Sequence, residues 1–412
     1  STDAITLDPN GGAVLAGVTT VTSVKVGAAV TISESGIEAS GIGITCASIN
    51  GTQIGGRRNL FINGDMQVAQ RATSYTGGTA YGTVDRWYIN ISGVDENPTQ
   101  AQVDVASGTT PYTLGFRKAL KITNGDQTNG LNSGTDRILI QQRIESQNLA
   151  QSGWNYTSSS SFITLSFWCK SSVAQTFQCR FQTQDGTQLN FPFETGSLSA
   201  DTWTKVIKTI PGNSNLTFDV NNEEGMKLEI SLIRGTDYTD NSVTNDAWAT
   251  YASGTRNKDN TTTWYTTNDA TFEITGVQLE VGSQATAFEH RSYGEELALC
   301  QRYYQRYREG NNISLGLGFG YASSELDIPI SFIVPMRTGP SLDQSVSTSG
   351  YVAIEGSGIG GSQYVNANFT LQFGSTHGCN LYVDPDPSLT SGSPYHLILR
   401  NASAYLAFNA EL

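Results

Sequence analysis

Charge is scarce in this 412-residue chain. Lys, Arg, Asp and Glu make up 15% of it, against about 25% in an ordinary soluble domain. Basic residues are the scarcer kind, 24 against 37 acidic, and the net charge is −13. A nucleic-acid grip needs clustered Lys and Arg, so the composition argues against one. The same sign disfavours docking on an anionic membrane surface. No run of about 18 apolar residues occurs, so no transmembrane helix and no membrane insertion are expected. The start, Ser1-Thr2-Asp3-Ala4, has neither the basic nor the apolar region of a secretory signal and no initiator Met, and the expectation is a C-terminal piece of a longer polypeptide. Five cysteines, an odd count, do not make a disulfide framework. Cys169 and Cys179, the one close pair, lack a metal-ligand spacing. They fall in the alternating runs Ile163/Leu165/Phe167/Cys169 and Phe177/Cys179/Phe181, and read as core thiols of one hairpin.

What is abundant points to β-structure: 43 glycines with many Ser, Thr and Asn. Residues 1–57 form the first region. Its first 56 positions hold no aromatic residue and no Arg, and short alternating runs such as Val24/Val26 and Val30/Ile32 are broken by turns such as Asn10-Gly11-Gly12. No run could bury enough surface alone, and the β-branched content argues against disorder. The reading is an intertwined β-shaft, wound with copies of itself. Residues 58–291 read as a jelly-roll β-sandwich, with strands expected at 58–64, 84–92, 115–123, 136–144, 162–170, 175–183, 203–210, 226–233 and 271–281. A bulge near Gly276 reconciles the parity of Phe272/Ile274 with that of Val277/Leu279/Val281.

Residues 292–307 read as a linker helix. Ser292-x-x-Glu295 is a capping box, and Leu297, Cys300, Tyr304 and Tyr307 make one apolar stripe. The stripe packs either on its own sandwich or on its copies at an oligomer axis. Residues 308–412 read as a C-terminal β-sandwich. Ile313 to Tyr321 alternate with Ser314, Gly316, Gly318 and Gly320, a glycine face that implies close approach of another backbone. Pro329 places the 326–334 strand at a sheet edge. Further strands are expected at 350–355, 367–373, 394–400 and 403–410. The fold class is therefore all-β, with one helix.

Signals of chemistry are few. Gly356-x-Gly358-x-x-Gly361 matches a dinucleotide fingerprint, but turn and strand follow it where a helix is needed, so it reads as a β-turn. His290, His377 and His396 are scattered, and no metal or other cofactor is expected. Glu223-Glu224 lies in a polar turn, and Glu295-Glu296 diverge on a helix, so neither makes a glycosidase pair. Sugar binding would use exposed aromatic faces. The candidates are Trp248, Tyr251, Trp264 and Tyr265 in the polar segment 245–268, with Tyr351, Tyr364 and Tyr395 in the terminal domain. For the first four the alternative is a loop that folds back and buries them.

Two stretches carry a family resemblance. One is Arg58-Asn59-Leu60-Phe61-Ile62-Asn63-Gly64-Asp65-Met66-Gln67 with Asp85-Arg86-Trp87-Tyr88. The other runs from Ile274-Thr275-Gly276-Val277-Gln278-Leu279-Glu280 through Phe288-Glu289-His290-Arg291 to Gln301-Arg302-Tyr303-Tyr304. With Ser166-Phe167-Trp168, Val334-Pro335-Met336-Arg337 and Ala410-Glu411-Leu412, they resemble bacteriophage tail fibres, marine-phage ones in particular, from about residue 58 to the end. Gly41 to Gly51 resembles a shaft repeat of such fibres, and the central domain is similar to carbohydrate-binding jelly rolls. The resemblance implies a homotrimer in the virion tail fibre, in contact with other tail proteins. It also implies a non-enzymatic receptor-binding role toward a bacterial-surface glycan or outer-membrane receptor, with residues 308–412 as the receptor-binding tip and residues 1–57 as a trimeric shaft. Two further readings stay open: a tailspike that cleaves polysaccharide, and a structural decoration or connector protein.

Overall fold

The computed structural model describes residues 58–412, apart from 132, 346–350, 357, 366, 386 and 387, and before residue 58 the backbone of five short strands. Of those five, β1 (Ser23–Val26), β2 (Val30–Ser33) and β3 (Gly36–Ala39) form an antiparallel sheet, and β4 (Ser48–Ile49) pairs with β5 (Thr52–Gln53). The trimeric shaft expected for 1–57 otherwise lies outside the described residues. By contacts the chain divides into residues 1–49 and 50–412.

The protein is all-β. Its central region holds β6 (Ser74–Thr76), β7 (Tyr88–Ser92), β8 (Thr99–Asp104), β9 (Lys118–Thr123), β10 (Arg137–Glu145), β11 (Phe162–Ser171), β12 (Thr176–Thr183), β13 (Leu189–Ser197), β14 (Thr204–Pro211), β15 (Glu224–Arg234), β16 (Ala249–Thr250) and β17 (Thr271–Val281). Two short helices, α1 (Thr110–Thr113) and α2 (Ser146–Ala150), interrupt it. The strands make two six-stranded antiparallel sheets, ordered β16-β13-β12-β15-β10-β7 and β14-β11-β17-β9-β8-β6. Period-two alternation sends Met226, Leu228 and Ile230 of one sheet and Leu165, Phe167 and Cys169 of the other into a single apolar core. The bulge at Gly276 is present. Its φ is +63°, and the β11–β17 register slips opposite it.

The two core cysteines are both buried, but they are not on one hairpin. Cys169 pairs within the β11 sheet and Cys179 within the β12 sheet, so they face the core from opposite layers. The expected strand at 58–64 is also absent. That segment turns through Asn63 at φ +58° and Met66 at φ +61°. Gly64 is required there, because a Cβ would lie 2.1 Å from the Val277 carbonyl oxygen. The close approach lets the Val277 N–H donate to the Gly64 carbonyl at 2.8 Å.

Helix α3 (Tyr293–Gln301) starts on the expected capping box, with the Ser292 hydroxyl accepting from the Glu295 N–H. It ends before the expected position 307, because Tyr304 already pairs with Asn409 in the terminal sheet. That sheet contains β18 (Tyr304–Ala322), β19 (Glu325–Ser331), β20 (Ser341–Ser345), β21 (Val352–Gly356), β22 (Gln363–Val365), β23 (Thr370–Gln372), β24 (Gly378–Val383) and β25 (Pro394–Asn409). Its order is β22-β21-β25-β18-β19-β24-β23, with β20 also on β25, and it folds over a second core containing Leu326, Leu381 and Leu397.

Two expectations about this sheet are corrected. β19 lies between β18 and β24, not at an edge. β18 pairing stops at Asp327, so Pro329 needs no ladder donor on that side. The glycine face is explained inside the chain: a Cβ on Gly318 would meet the Asp327 carbonyl at 2.8 Å, and one on Gly320 the Thr390 carbonyl at 2.7 Å. Gly356 to Gly361 connect β21 to β22, the β-turn that the flanking residues imply.

Candidate functional site

The outer face of the β12–β15–β10 sheet carries a connected polar array away from the motif segments. Alternation that sends Phe181 and Leu228 inward sends Arg180 and Glu229 outward as cross-strand neighbours. Gln141 of β10 flanks Glu229 on the other side. The Glu229 carboxylate accepts hydrogen bonds from Arg180 Nε, from Arg234 Nη2 at 2.7 Å and from Gln141 Nε2 at 2.6 Å. Arg180 also donates to Asn190 Oδ1 at 3.2 Å. Burial by itself pushes the Glu229 carboxyl up, but Arg180 and Arg234 outweigh it and hold the group far below the usual carboxylate range. Burial pulls the Arg234 guanidinium down to about 10, against the attraction of Glu229.

The segment after β15 lies across one end of this face. Its Tyr251 ring centroid is 5.6 Å from the guanidinium carbons of both Arg180 and Arg256, and the Tyr238 ring is 4.3 Å from Arg256. The Asn190 side-chain amide donates to the Arg256 carbonyl at 2.7 Å and ties the segment down. At the other end Arg143 sits 4.7 Å from the Tyr88 ring. The centre is buried, while Tyr88, Arg143, Lys227, Gln188, Tyr251 and Arg256 are half-buried and reach solvent. The half-buried rim, with the Arg143 and Arg256 guanidiniums and the Gln188 amide near the Tyr88 and Tyr251 rings, offers directional hydrogen bonds beside apolar faces, which suits a polyhydroxylated ligand. A carboxylate clamped by two arginines is a poor proton donor near neutral pH, so Glu229 accepts hydrogen bonds and does not serve as a general acid.

No family model matches the chain, and no curated protein matches it. Solved structures do. A bacteriophage CBA120 tailspike protein 4 enzymatically active domain aligns over 54% of this chain and 21% of its own length, at 10% identity and a TM-score of 0.29. The N-terminal cellulose-binding domain of Cellulomonas fimi β-1,4-glucanase C aligns over 52% of this chain and 97% of its own, at 8% identity and a TM-score of 0.25. The carbohydrate-binding and catalytic modules of Clostridium thermocellum xylanase 10B, solved with xylohexaose, align over 53% and 30%, at 12% identity and a TM-score of 0.25. The chain thus spans about a fifth of the tailspike domain. These similarities are too distant to assign a family.

Of the aromatic residues singled out from the sequence, Tyr251 alone joins the polar face. Trp248 is half-buried. Its ring lies 5.1 Å from Phe191 and its Nε1–H donates to the Pro211 carbonyl at 2.7 Å, so it closes the sandwich edge. Trp264 and Tyr265 are corrected outright. Both are 0% exposed, because their loop folds back onto the core, where Gln175 accepts from the Trp264 N–H and Asn124 donates to the Tyr265 carbonyl. Tyr395 is likewise buried, its hydroxyl accepting from the Thr390 N–H. Tyr351 packs half-buried against the terminal core, and Tyr364 is 43% exposed on β22. Arg180, Gln141 and Glu229 escaped the sequence reading. The available signal was the polar parity of β15, Lys227/Glu229 against Met226/Leu228, which sequence cannot distinguish from a solvated face.

The tail-fibre-like stretches converge elsewhere, on a buried junction. Asn59 accepts from the Leu279 N–H and donates to the Val277 carbonyl. Arg291 binds the Asn59 and Phe61 carbonyls and pairs with Glu289 and Glu296. Arg86, stacked on Tyr303, pairs with Glu411, and Arg302 binds Glu145 through two nitrogens. These motif residues lock the sandwich, α3 and the terminal sheet together.

Proposed function

We propose that this chain is the receptor-binding part of a phage tail fibre, attaching the virion to a bacterial surface by holding a glycan on the outer face of the β12–β15–β10 sheet. The observation that carries the reading is the half-buried rim of Tyr88, Arg143, Gln188, Tyr251 and Arg256, which sets guanidiniums and an amide beside aromatic rings over a buried Gln141–Glu229–Arg180 centre. The resemblance of the 58–67 and 274–304 stretches to tail fibres supports the virion setting. A homotrimer, held in the fibre with other tail proteins, would carry three such faces and raise avidity without a tight single site. The clamped Glu229 supports binding without cleavage.

The test is adsorption of fluorescently labelled protein to a bacterial panel, with and without enzymatic stripping of surface polysaccharide. The reading expects binding to a narrow set of strains, loss on stripping, and at least about a tenfold loss for Tyr251→Ala, the scale of an aromatic contact residue. Release of oligosaccharide from the polymer would favour the tailspike enzyme instead. Trimers in solution that bind no strain would favour a structural virion part.

A further inference from the structure

Away from the polar sheet face, a cleft of about 510 Å³ opens where the chain leading into the sandwich meets α2 and α3. Its size suits a small-molecule ligand, since such sites run from about 300 to 1,000 Å³. Three arginines and no carboxylate line it. Two of the three are already neutralised from behind the wall: Arg291 by Glu289 at 3.0 Å and Arg302 by Glu145 at 2.7 Å. Arg58 differs. Its guanidinium donates only to neutral acceptors, Thr286 Oγ1 at 3.1 Å and the Ala287 carbonyl at 3.3 Å, and has no ion-pair partner among the described residues.

Asn148 and Gln151 line the same cleft. They lie three positions apart at the end of α2 and so share one face. Both are exposed, and neither side chain has a hydrogen-bond partner among the described residues. Leu299 adds an apolar contact. A guanidinium without a direct ion pair, two amides without partners and an apolar side chain around one cleft match a ligand with one carboxylate and several hydroxyls. A guanidinium prefers a carboxylate because the fork geometry gives two parallel hydrogen bonds.

We propose that this cleft is a second binding site, specific for the carboxylate-bearing unit of an acidic saccharide. The site shares no residue with the β12–β15–β10 face, so the two stand or fall separately.

The test uses the full chain with glucuronic acid as probe, followed by calorimetry or ligand-observed NMR, with glucose and sulfate as comparators. The expected result is saturable glucuronate binding and none for glucose. Arg58→Gln should weaken it by about tenfold or more, the scale of one charged hydrogen bond. Gln151→Ala, which removes an exposed side chain with no partner and leaves folding intact, should weaken it severalfold. Tyr251→Ala should leave it unchanged. The proposal is overturned if glucuronate does not bind, if both cleft variants bind like the parent, or if sulfate binds as well as glucuronate and Gln151→Ala has no effect. Loss of cell adsorption in Tyr251→Ala with intact glucuronate binding would separate the two sites, and loss of glucuronate binding in Arg58→Gln with intact adsorption would uphold the cleft whatever the outcome for the sheet face.

Discussion

The backbone N–H of Asn63 donates to Oε1 of Glu296, a residue 233 positions later on α3. The Arg291 guanidinium lies 3.4 Å from the same oxygen. Burial pushes the Glu296 carboxyl up from its ordinary value, and the Asn63 N–H and Arg291 oppose that. One side chain therefore fastens the start of the sandwich to the helix that leads out of it. Removing it should be costly. Glu296→Ala leaves a buried donor and a half-satisfied arginine, and should lower unfolding free energy by about 2–4 kcal/mol. Glu296→Gln, whose amide oxygen still accepts from Asn63, should cost less. Urea unfolding with unchanged slope checks the pair, and a Glu296→Ala loss below about 0.5 kcal/mol would refute the role of this contact.

Glu229 should make the protein sensitive to acid. Its folded value is depressed below the ordinary 4.5. A depressed carboxylate contributes stability that is present above its unfolded value and is lost as pH falls below it. Glu229→Gln should cost about 3–5 kcal/mol at pH 7, since Arg180 and Arg234 lose their buried counter-charge. The gap between parent and variant should narrow below about pH 4.5. Denaturant melts at several pH values give the answer, and a gap that stays constant would contradict the assignment.

Asp85 should act in the opposite sense. Burial raises it to about 6 from 3.8, against Arg71 and the Gln70 hydrogen bonds. The folded state then holds the proton more tightly than the unfolded chain, so this group's contribution weakens as pH rises from about 4 to 6. Asp85→Asn lacks that titration and can still accept from the Gln70 N–H. Relative to the parent, the variant should gain up to about 3 kcal/mol between pH 4 and pH 7. No relative change across this interval would show that Asp85 titrates normally.

Trp264 and Tyr251 should separate stability from binding. Trp264→Ala opens a hole in the sandwich core and should cost about 3–5 kcal/mol. Tyr251 is half-buried at the rim, and its replacement by Ala should cost about 1 kcal/mol of stability while removing adsorption. Equal destabilisation by both would argue that Tyr251 is a packing residue.

How much was legible follows from what each residue interacts with. The sandwich strands could be read because Met226/Leu228/Ile230 and Phe272/Ile274 alternate with period two, a local consequence of burying one sheet face. The capping box at Ser292 was equally local. The 58–64 segment reads as a strand only until Gly64 is seen to need contact with Val277, far away in sequence. The helix was overextended because Tyr304 and Tyr307 fit its stripe, while the competing partner of Tyr304, Asn409, lies a hundred residues on.

The sequence by itself determined the all-β class, the absence of a helix long and apolar enough to cross a membrane among the described residues, the bulge at Gly276 and the start of α3, because each depends on composition or on neighbours within a few positions. The tertiary structure alone decided which sheet each cysteine joins, that Trp264, Tyr265 and Tyr395 are interior, and that Arg180, Gln141 and Glu229 meet. Those outcomes depend on strand order and register, which are fixed by the packing of distant segments and leave no short-range trace in the chain.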